Sequence, residues 1–126
     1  MKTVLIVEDQ LDTLAIHSAY LERHGYRVLR AEDGEAGLDS ARRHRPDLIL
    51  MDLSVPRVNG LVATETLKGD PATGHIPIVI MTAHTYGSVG RRAVAAGCDG
   101  FLAKPLDPRR VLEEVEQRIG PSERPN

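Results

Sequence analysis

The sequence predicts an α/β domain, a doubly wound, three-layer fold around a five-stranded parallel sheet. Three observations carry this. The chain has 126 residues, a length for one domain that can bury roughly two-thirds of its unfolded surface in one core. Short, unbroken apolar runs recur at residues 4–7 (VLIV), 48–51 (LILM) and 78–81 (IVIM), with a shorter one at 100–103 (GFLA). Such runs suit strands covered on both faces, as in parallel sheets. Helical spacing fills every interval between them, and parallel strands need such crossovers.

Each element has its own signal. Residues 27–31 (RVLRA) are more polar and read as an edge strand. Leu11, Leu14, Ser18 and Leu21 repeat at three- and four-residue steps, and Gly25 stops that helix. A second helix covers roughly 34–44 and ends before Pro46. A third runs from about Asn59 to Lys68 and holds Leu61, Val62 and Leu67. A fourth lies near 88–96, before Gly97. In the fifth, Asp107 is the N-cap, Pro108 takes the first position, and Val111, Leu112, Val115 and Ile119 form one stripe. Gly120-Pro121 ends it. The domain is expected to span 1–119, with 120–126 a disordered tail or linker stub.

Composition removes several functions. Charged residues are 27% and the net charge is −2, with the arginines scattered. No basic stripe for nucleic acid results, and four aromatics without Trp make no stacking platform. No run approaches the ~18 apolar residues of a membrane span, and the start lacks a secretory signal. A single cysteine, Cys98, fits a reducing cytosol, so the expected location is cytoplasmic.

The chemistry lies where the apolar runs stop. Glu8 and Asp9 end the first, Asp52 the second, Thr82 the third and Lys104 the last. In a doubly wound sheet these positions share the rim beyond the carboxyl ends of the strands, where ligands bind. Two carboxylates about 4 Å apart repel by roughly 4 kcal/mol at an effective dielectric near 20. Three in one cleft call for a cation, and oxygen ligands describe a magnesium site. Zinc would want Cys or His at ligand spacing, which is missing. A lysine and a hydroxyl facing a metal are parts that bind a phosphoryl group, and Asp52 could serve as nucleophile through an aspartyl phosphate.

The segments VLIVED (4–9), LILMDLSVPRVNG (48–60), IVIMTA (78–83) and FLAKPL (101–106) together resemble the receiver domain of two-component response regulators, over about residues 2–119. The resemblance implies a flavodoxin-like receiver fold with strand order 2-1-3-4-5. It implies that Asp52 accepts a phosphoryl group from a phosphohistidine of a sensor kinase or phosphotransfer protein. Mg2+ is then the cofactor, bound by Asp9, Asp52 and the Ser54 carbonyl, with Glu8 acting through water. Lys104 matches the cation on the phosphoryl oxygens and Thr82 the hydroxyl that closes on them. Phe101 matches an aromatic switch position, and Ser54 and His84 the positions that tune access of water. Lys104-Pro105 matches a peptide bond often cis in the family. The product is a switched protein-binding surface on the fourth helix, fifth strand and fifth helix. A downstream protein target is implied but not identified, and a phosphorylation-dependent homodimer stays open. The chain is read as a signalling phosphoacceptor rather than an enzyme.

Val55, Arg57 and Asn59 depart from the commonest receiver pattern, where Met, Gly and Asp are frequent, so altered contacts are expected in the loop after the acceptor. His17, His24, His44 and His75 are expected at the surface, Cys98 as a small buried hydrophobe, and Arg91-Arg92 and Arg109-Arg110 as solvated faces. A phosphatase of the haloacid-dehalogenase type competes, but Asp52-Leu53-Ser54 lacks its second Asp. A partner-binding pseudo-receiver would need a missing acceptor, acid or lysine. The phosphate loops of nucleotide binders are missing.

Overall fold

The computed structural model describes residues 1–83 and 87–122. Strand and helix alternate as β1 (Thr3–Val7), α1 (Leu11–Arg23), β2 (Arg27–Ala31), α2 (Gly34–His44), β3 (Leu48–Asp52), α3 (Gly60–Gly69), β4 (Ile78–Thr82), α4 (Gly87–Ala95), β5 (Gly100–Ala103) and α5 (Pro108–Ile119). The strands pair in parallel in the order β2-β1-β3-β4-β5, as expected. The polar segment 27–31 is indeed an edge strand. Among the described residues, no helix is long and apolar enough to cross a membrane.

Side-chain alternation along each strand builds the layers. Leu5, Val7, Ile49, Met51, Ile78 and Ile80 face Ala41, Ala63, Leu67 and Ala93, so α2, α3 and α4 cover that side. Val4, Ile6, Leu48, Leu50, Val79 and Met81 face Leu14, Leu21, Val111 and Val115, so α1 and α5 cover the other. Every residue of β3 and β4 is buried, which is why those runs show no polar alternation.

Helix starts follow the side-chain caps. Asp33 accepts from the Ala36 N–H at 2.7 Å, Asn59 from Val62 at 3.0 Å and Asp107 from Arg109 at 2.8 Å. Asn59 is thus the cap rather than the first residue of α3, and α4 begins one residue earlier than expected. The loop after β3 leans on the start of α2. The Gly34 N–H donates to the Pro56 carbonyl at 3.2 Å, and a Cβ on Gly34 would lie 1.6 Å from the Val58 carbonyl oxygen. Arg57 has φ 70°, a left-handed conformation that favours glycine, and pairs with Asp33 at 3.2 Å and Glu35 at 3.6 Å. These contacts brace the loop between β3 and α3 against the start of α2.

Three expectations need correction. Leu11 is 60% exposed; the buried stripe of α1 is Leu14, His17, Ser18 and Leu21. His17 is therefore not a surface residue: it is 4% exposed, and its Nδ1 has no hydrogen-bond partner among the described residues. Its spacing three residues after Leu14 turns it toward α5, whereas His44 and His75 are exposed. The tail is not disordered from residue 120. Tyr26 donates to the Gly120 carbonyl at 2.6 Å, and Ser122 Oγ donates to the Gly25 carbonyl at 2.7 Å and accepts from the Lys2 N–H at 3.0 Å. Lys2 Nζ donates to the Ile119 carbonyl. The Ile119 and Gly120 carbonyls at the end of α5 take two of these donors, from Lys2 and Tyr26. Cys98 is half-buried against the core beneath α2–α4.

Burial lowers the His17 pKa from its usual 6.5, with Asp107 opposing and Lys104 reinforcing the shift. Its neutral form therefore stabilises the fold fully above pH 6.5, and that contribution is lost as pH falls from there through the lowered native value. His17→Leu is expected to raise stability at pH 5.5 by about 1 kcal/mol and to flatten the pH dependence, read by urea unfolding from pH 8 to pH 5. Gly34→Ala drives a methyl into the Val58 carbonyl, with an expected loss of about 2 kcal/mol by the same assay.

Candidate functional site

The parallel sheet fixes where the polar residues meet. Residues 8 and 9 follow β1, Asp52 is the last residue of β3, Thr82 the last of β4, and Lys104 follows β5. All these strand ends point one way, so the side chains converge at one rim. The strand order reverses direction between β1 and β3, leaving a crevice there for a ligand.

Asp52 and Glu8 are almost fully buried, 2% and 1% exposed, whereas Asp9 is exposed. Lys104 Nζ lies 2.5 Å from Asp52 Oδ2 and 3.5 Å from Glu8 Oε1. Asp52 Oδ1 accepts from both the Ser54 N–H and the Ser54 hydroxyl, each at 2.9 Å. Glu8 Oε2 accepts from the Gln10 N–H at 3.3 Å. Carboxylate oxygens of Glu8, Asp9 and Asp52 all lie within 4.8 Å of one another. Thr82, Asp52 and Lys104 line one cavity of about 380 Å3 with Ser54, Leu53, Leu61 and Val89. The Lys104–Pro105 peptide is cis.

The protonation pattern follows from this geometry. Burial raises the Glu8 pKa to about 7, aided by the hydrogen bond and charge of Asp52; Gln10 and Lys104 oppose it. Burial would raise Asp52 too, but hydrogen bonds from Glu8, Lys104 and Ser54 outweigh it and hold Asp52 below the usual carboxyl range. Burial would lower Lys104, but Asp52 and Glu8 more than offset it and push its pKa up. One ammonium therefore sustains one buried carboxylate, and the second buried acid holds a proton near neutrality. The sequence-level argument that three acids exceed one lysine is met here in atoms. A hard dication with oxygen ligands fits this donor set: its charge would let Glu8 ionise.

Glu8, Asp9, Asp52, Ser54, Thr82 and Lys104 are thus brought together. Phe101 stands apart, half-buried on β5 opposite Ile80 and packed against the core beneath α2–α4. His84 lies outside the described residues. Sequence reasoning gave Ser54 no hydrogen bond to Asp52; the signal was the hydroxyl two residues after an acid, a spacing for such turns. It also missed Leu61 and Val89 at the cavity and a groove of about 540 Å3 on the other side of Lys104, lined by Thr13, Ile16, His17 and Leu106. The available signal was Ile16, an apolar residue off the Leu14–Ser18–Leu21 stripe of α1.

The chain is similar to known proteins in sequence and in fold. A polar-differentiation response regulator, DivK of Brucella anthropi, is 38% identical over 119 residues, covering 94% of this chain and 97% of that protein. The chemotaxis protein CheY4 of Vibrio cholerae superposes with a TM-score of 0.89 at 28% identity, covering 94% and 99% of the two chains. The receiver domain of a sensor histidine kinase from Pseudomonas aeruginosa, with a magnesium ion coordinated in its active-site cleft, superposes with a TM-score of 0.86 at 31% identity, covering 94% and 98%. Residues 4–116 match the family model of the response regulator receiver domain. A buried aspartate paired with a lysine at the switch point of a 2-1-3-4-5 sheet, carried on a sequence that matches that model almost end to end, places this chain in the response regulator receiver family of two-component signalling.

Proposed function

We propose that this chain is a phosphorylation-controlled signalling module in which Asp52 accepts a phosphoryl group in an Mg2+-dependent reaction. One observation carries the reading: Asp52 is kept anionic in a buried site by Lys104 and Ser54, while Glu8, with a pKa near 7, waits for a further positive charge. A buried carboxylate that is ionised and reachable from a cavity is a nucleophile. The donor is a phosphohistidine of a sensor kinase or phosphotransfer protein. The magnesium reported in the Pseudomonas receiver supports the same ion here.

Phosphoryl transfer asks for positioning and charge neutralisation. Asp9, Asp52 and the Ser54 carbonyl would hold the Mg2+, with Glu8 acting through water. When bound, the ion neutralises oxygens on the transferring phosphoryl group. Ser54 fixes Asp52 Oδ1 and so sets which way the carboxylate faces. Lys104 trades its contact with Asp52 Oδ2 for a phosphoryl oxygen, remaining ionised throughout. The modified side chain carries about two negative charges, and Thr82 turns its hydroxyl toward them. Phe101 moves into the space released, a two-state element biased by local charge. Because Phe101 has no hydroxyl, its inward state rests on burial. Ser54 and His84 tune the access of water to the acyl phosphate. The output is the surface of α4, β5 and α5, read by a protein target or a second copy, in the cytoplasm. The competing phosphatase reading has less support, because the residue two after Asp52 is Ser54, whose hydroxyl donates to Asp52 and has no acid to offer.

Incubation with Mg2+ and phosphoramidate is expected to add one phosphate to the wild type and none to Asp52→Asn, read by intact mass. Equal addition to both overturns the reading. Lys104→Met is expected to slow uptake by about a hundredfold or more, with a folded circular dichroism spectrum. Because Glu8 must release its proton to serve the ion, Mg2+ affinity is expected to fall as pH drops below about 7, approaching tenfold per pH unit. Glu8→Gln removes that slope in calorimetric titrations; a flat profile in the wild type contradicts the assigned role of Glu8.

A further inference from the structure

Among the described residues, two that carry a Cβ have a left-handed backbone, Arg45 at φ 45° and Arg57 at φ 70°. That conformation is unfavourable for residues other than glycine. Arg45 is the C-cap of α2, where it serves to end a helix. Arg57 lies in the loop between β3 and α3 and has no such duty. A strained residue persists where its surroundings hold it, and those of Arg57 are specific. Its Nε lies 3.2 Å from Asp33 Oδ2 and its Nη1 3.6 Å from Glu35 Oε2. Asp33 is shared, because its other oxygen caps α2 through the Ala36 N–H. On either side of Arg57, the Pro56 carbonyl accepts from the Gly34 N–H and the Val58 carbonyl lies against Gly34. Residues 56–58 are thus fastened to residues 33–35.

The rest of the loop carries this hold to the acidic site. Val55 is 3% exposed and packs in the core beneath α2–α4. It alone separates Pro56 from Ser54, whose N–H and hydroxyl both donate to Asp52 Oδ1. The Ser54 backbone is therefore fixed from Asp52 on one side and from α2 on the other. A site that must be ordered before it binds loses affinity in proportion to the fraction of molecules so ordered. We infer that Arg57 is a positioning residue for the Mg2+ site: its ion pairs with Asp33 and Glu35 hold the loop that presents the Ser54 carbonyl, and without them Mg2+ binds more weakly. This rests on the Mg2+ reading of the acidic cluster. Among the described residues, the ion pairs of Arg57 are with Asp33 and Glu35, not with Glu8, Asp9 or Asp52. It therefore acts through the backbone, and the sign of its effect is diagnostic. By Coulomb's law alone, loss of a cation near a dication site would tighten binding. The Arg57 and Glu35 side chains are 67% and 70% exposed, so salt weakens the hold.

The test is calorimetric titration with Mg2+, beside urea unfolding of the same proteins. Arg57→Gly removes the strain and the ion pairs together. Its unfolding midpoint is expected to stay close to that of wild type, while its Mg2+ affinity falls about fourfold at low salt. Arg57→Lys keeps a cation within reach of both acids and is expected to bind within about twofold of wild type. In about 0.5 M NaCl the gap between wild type and Arg57→Gly is expected to narrow, because the exposed pairs are screened. Asp33→Asn keeps the helix cap. It is expected to weaken Mg2+ binding more in the wild-type background than in Arg57→Gly, where the pair is already lost. Unchanged or tighter binding by Arg57→Gly overturns the inference, as does an equal effect of Asp33→Asn in both backgrounds. An affinity loss matched by an early urea transition shows a merely structural role and overturns it too. In each of these cases Mg2+ binding by the wild type preserves the reading of the site. A wild type that binds no Mg2+ overturns that reading and this inference with it.

Discussion

Two carboxylic acids buried at the edge of a parallel sheet, with one ammonium between them, set the terms for the rest of the molecule. Opposite charge within hydrogen-bond distance keeps Asp52 ionised in a place where burial favours the neutral acid. The same ammonium is not enough for Glu8, which holds a proton up to about pH 7. Removing either partner of a buried pair leaves an uncompensated charge, so such pairs are weak evidence for stability and better evidence for use. The site stands one positive charge short of full ionisation, a shortfall that a bound dication would fill.

The fold supplies this geometry through apolar surface alone. Strand alternation sends one set of side chains to α1 and α5 and the other to α2, α3 and α4. No polar side chain is needed inside β3 or β4 until the last residue of each, Asp52 and Thr82. The loop after Asp52 is then held from the side: Gly34 allows the α2 start to touch the Val58 carbonyl, and Arg57 spans to Asp33 and Glu35. Each of these ion pairs, with Arg57 largely exposed, contributes little by itself. Together with the Gly34–Pro56 hydrogen bond they fix a backbone that carries Ser54, and through Ser54 one oxygen of Asp52.

The α1–α5 side has a different character. Its groove reaches Lys104 and contains a buried imidazole with one nitrogen unpaired among the described residues. A buried polar atom without a partner opposes folding, typically by 1–3 kcal/mol, so its place between two helices that flank the site marks that seam as less tightly optimised than the sheet. The helix that bears it, α1, also starts without a side-chain cap. Next to it, the Gln10 N–H is turned to Glu8, linking the entrance of α1 to the charge state of the site.

The sequence by itself determined the fold class, the strand–helix alternation and the identity of the clustered polar residues. Those follow from local rules: apolar runs of strand length, helix caps such as Asp107 with Pro108, and polar residues placed where each run stops. Their gathering into one rim was legible because parallel strands end on the same side. What the sequence left open depends on neighbours distant in the chain. Whether His17 or Leu11 is buried depends on where α5 packs, and helical spacing alone fits both. Ser122 looked like part of a polar tail because its partners, Lys2 and Gly25, lie about a hundred residues away. The apolar wall of the cavity joins Leu53 and Leu61 to Val89 of α4, a meeting decided by tertiary packing. The proton on Glu8 is of the same kind: composition counts the charges, but only burial and distance decide which acid keeps its proton.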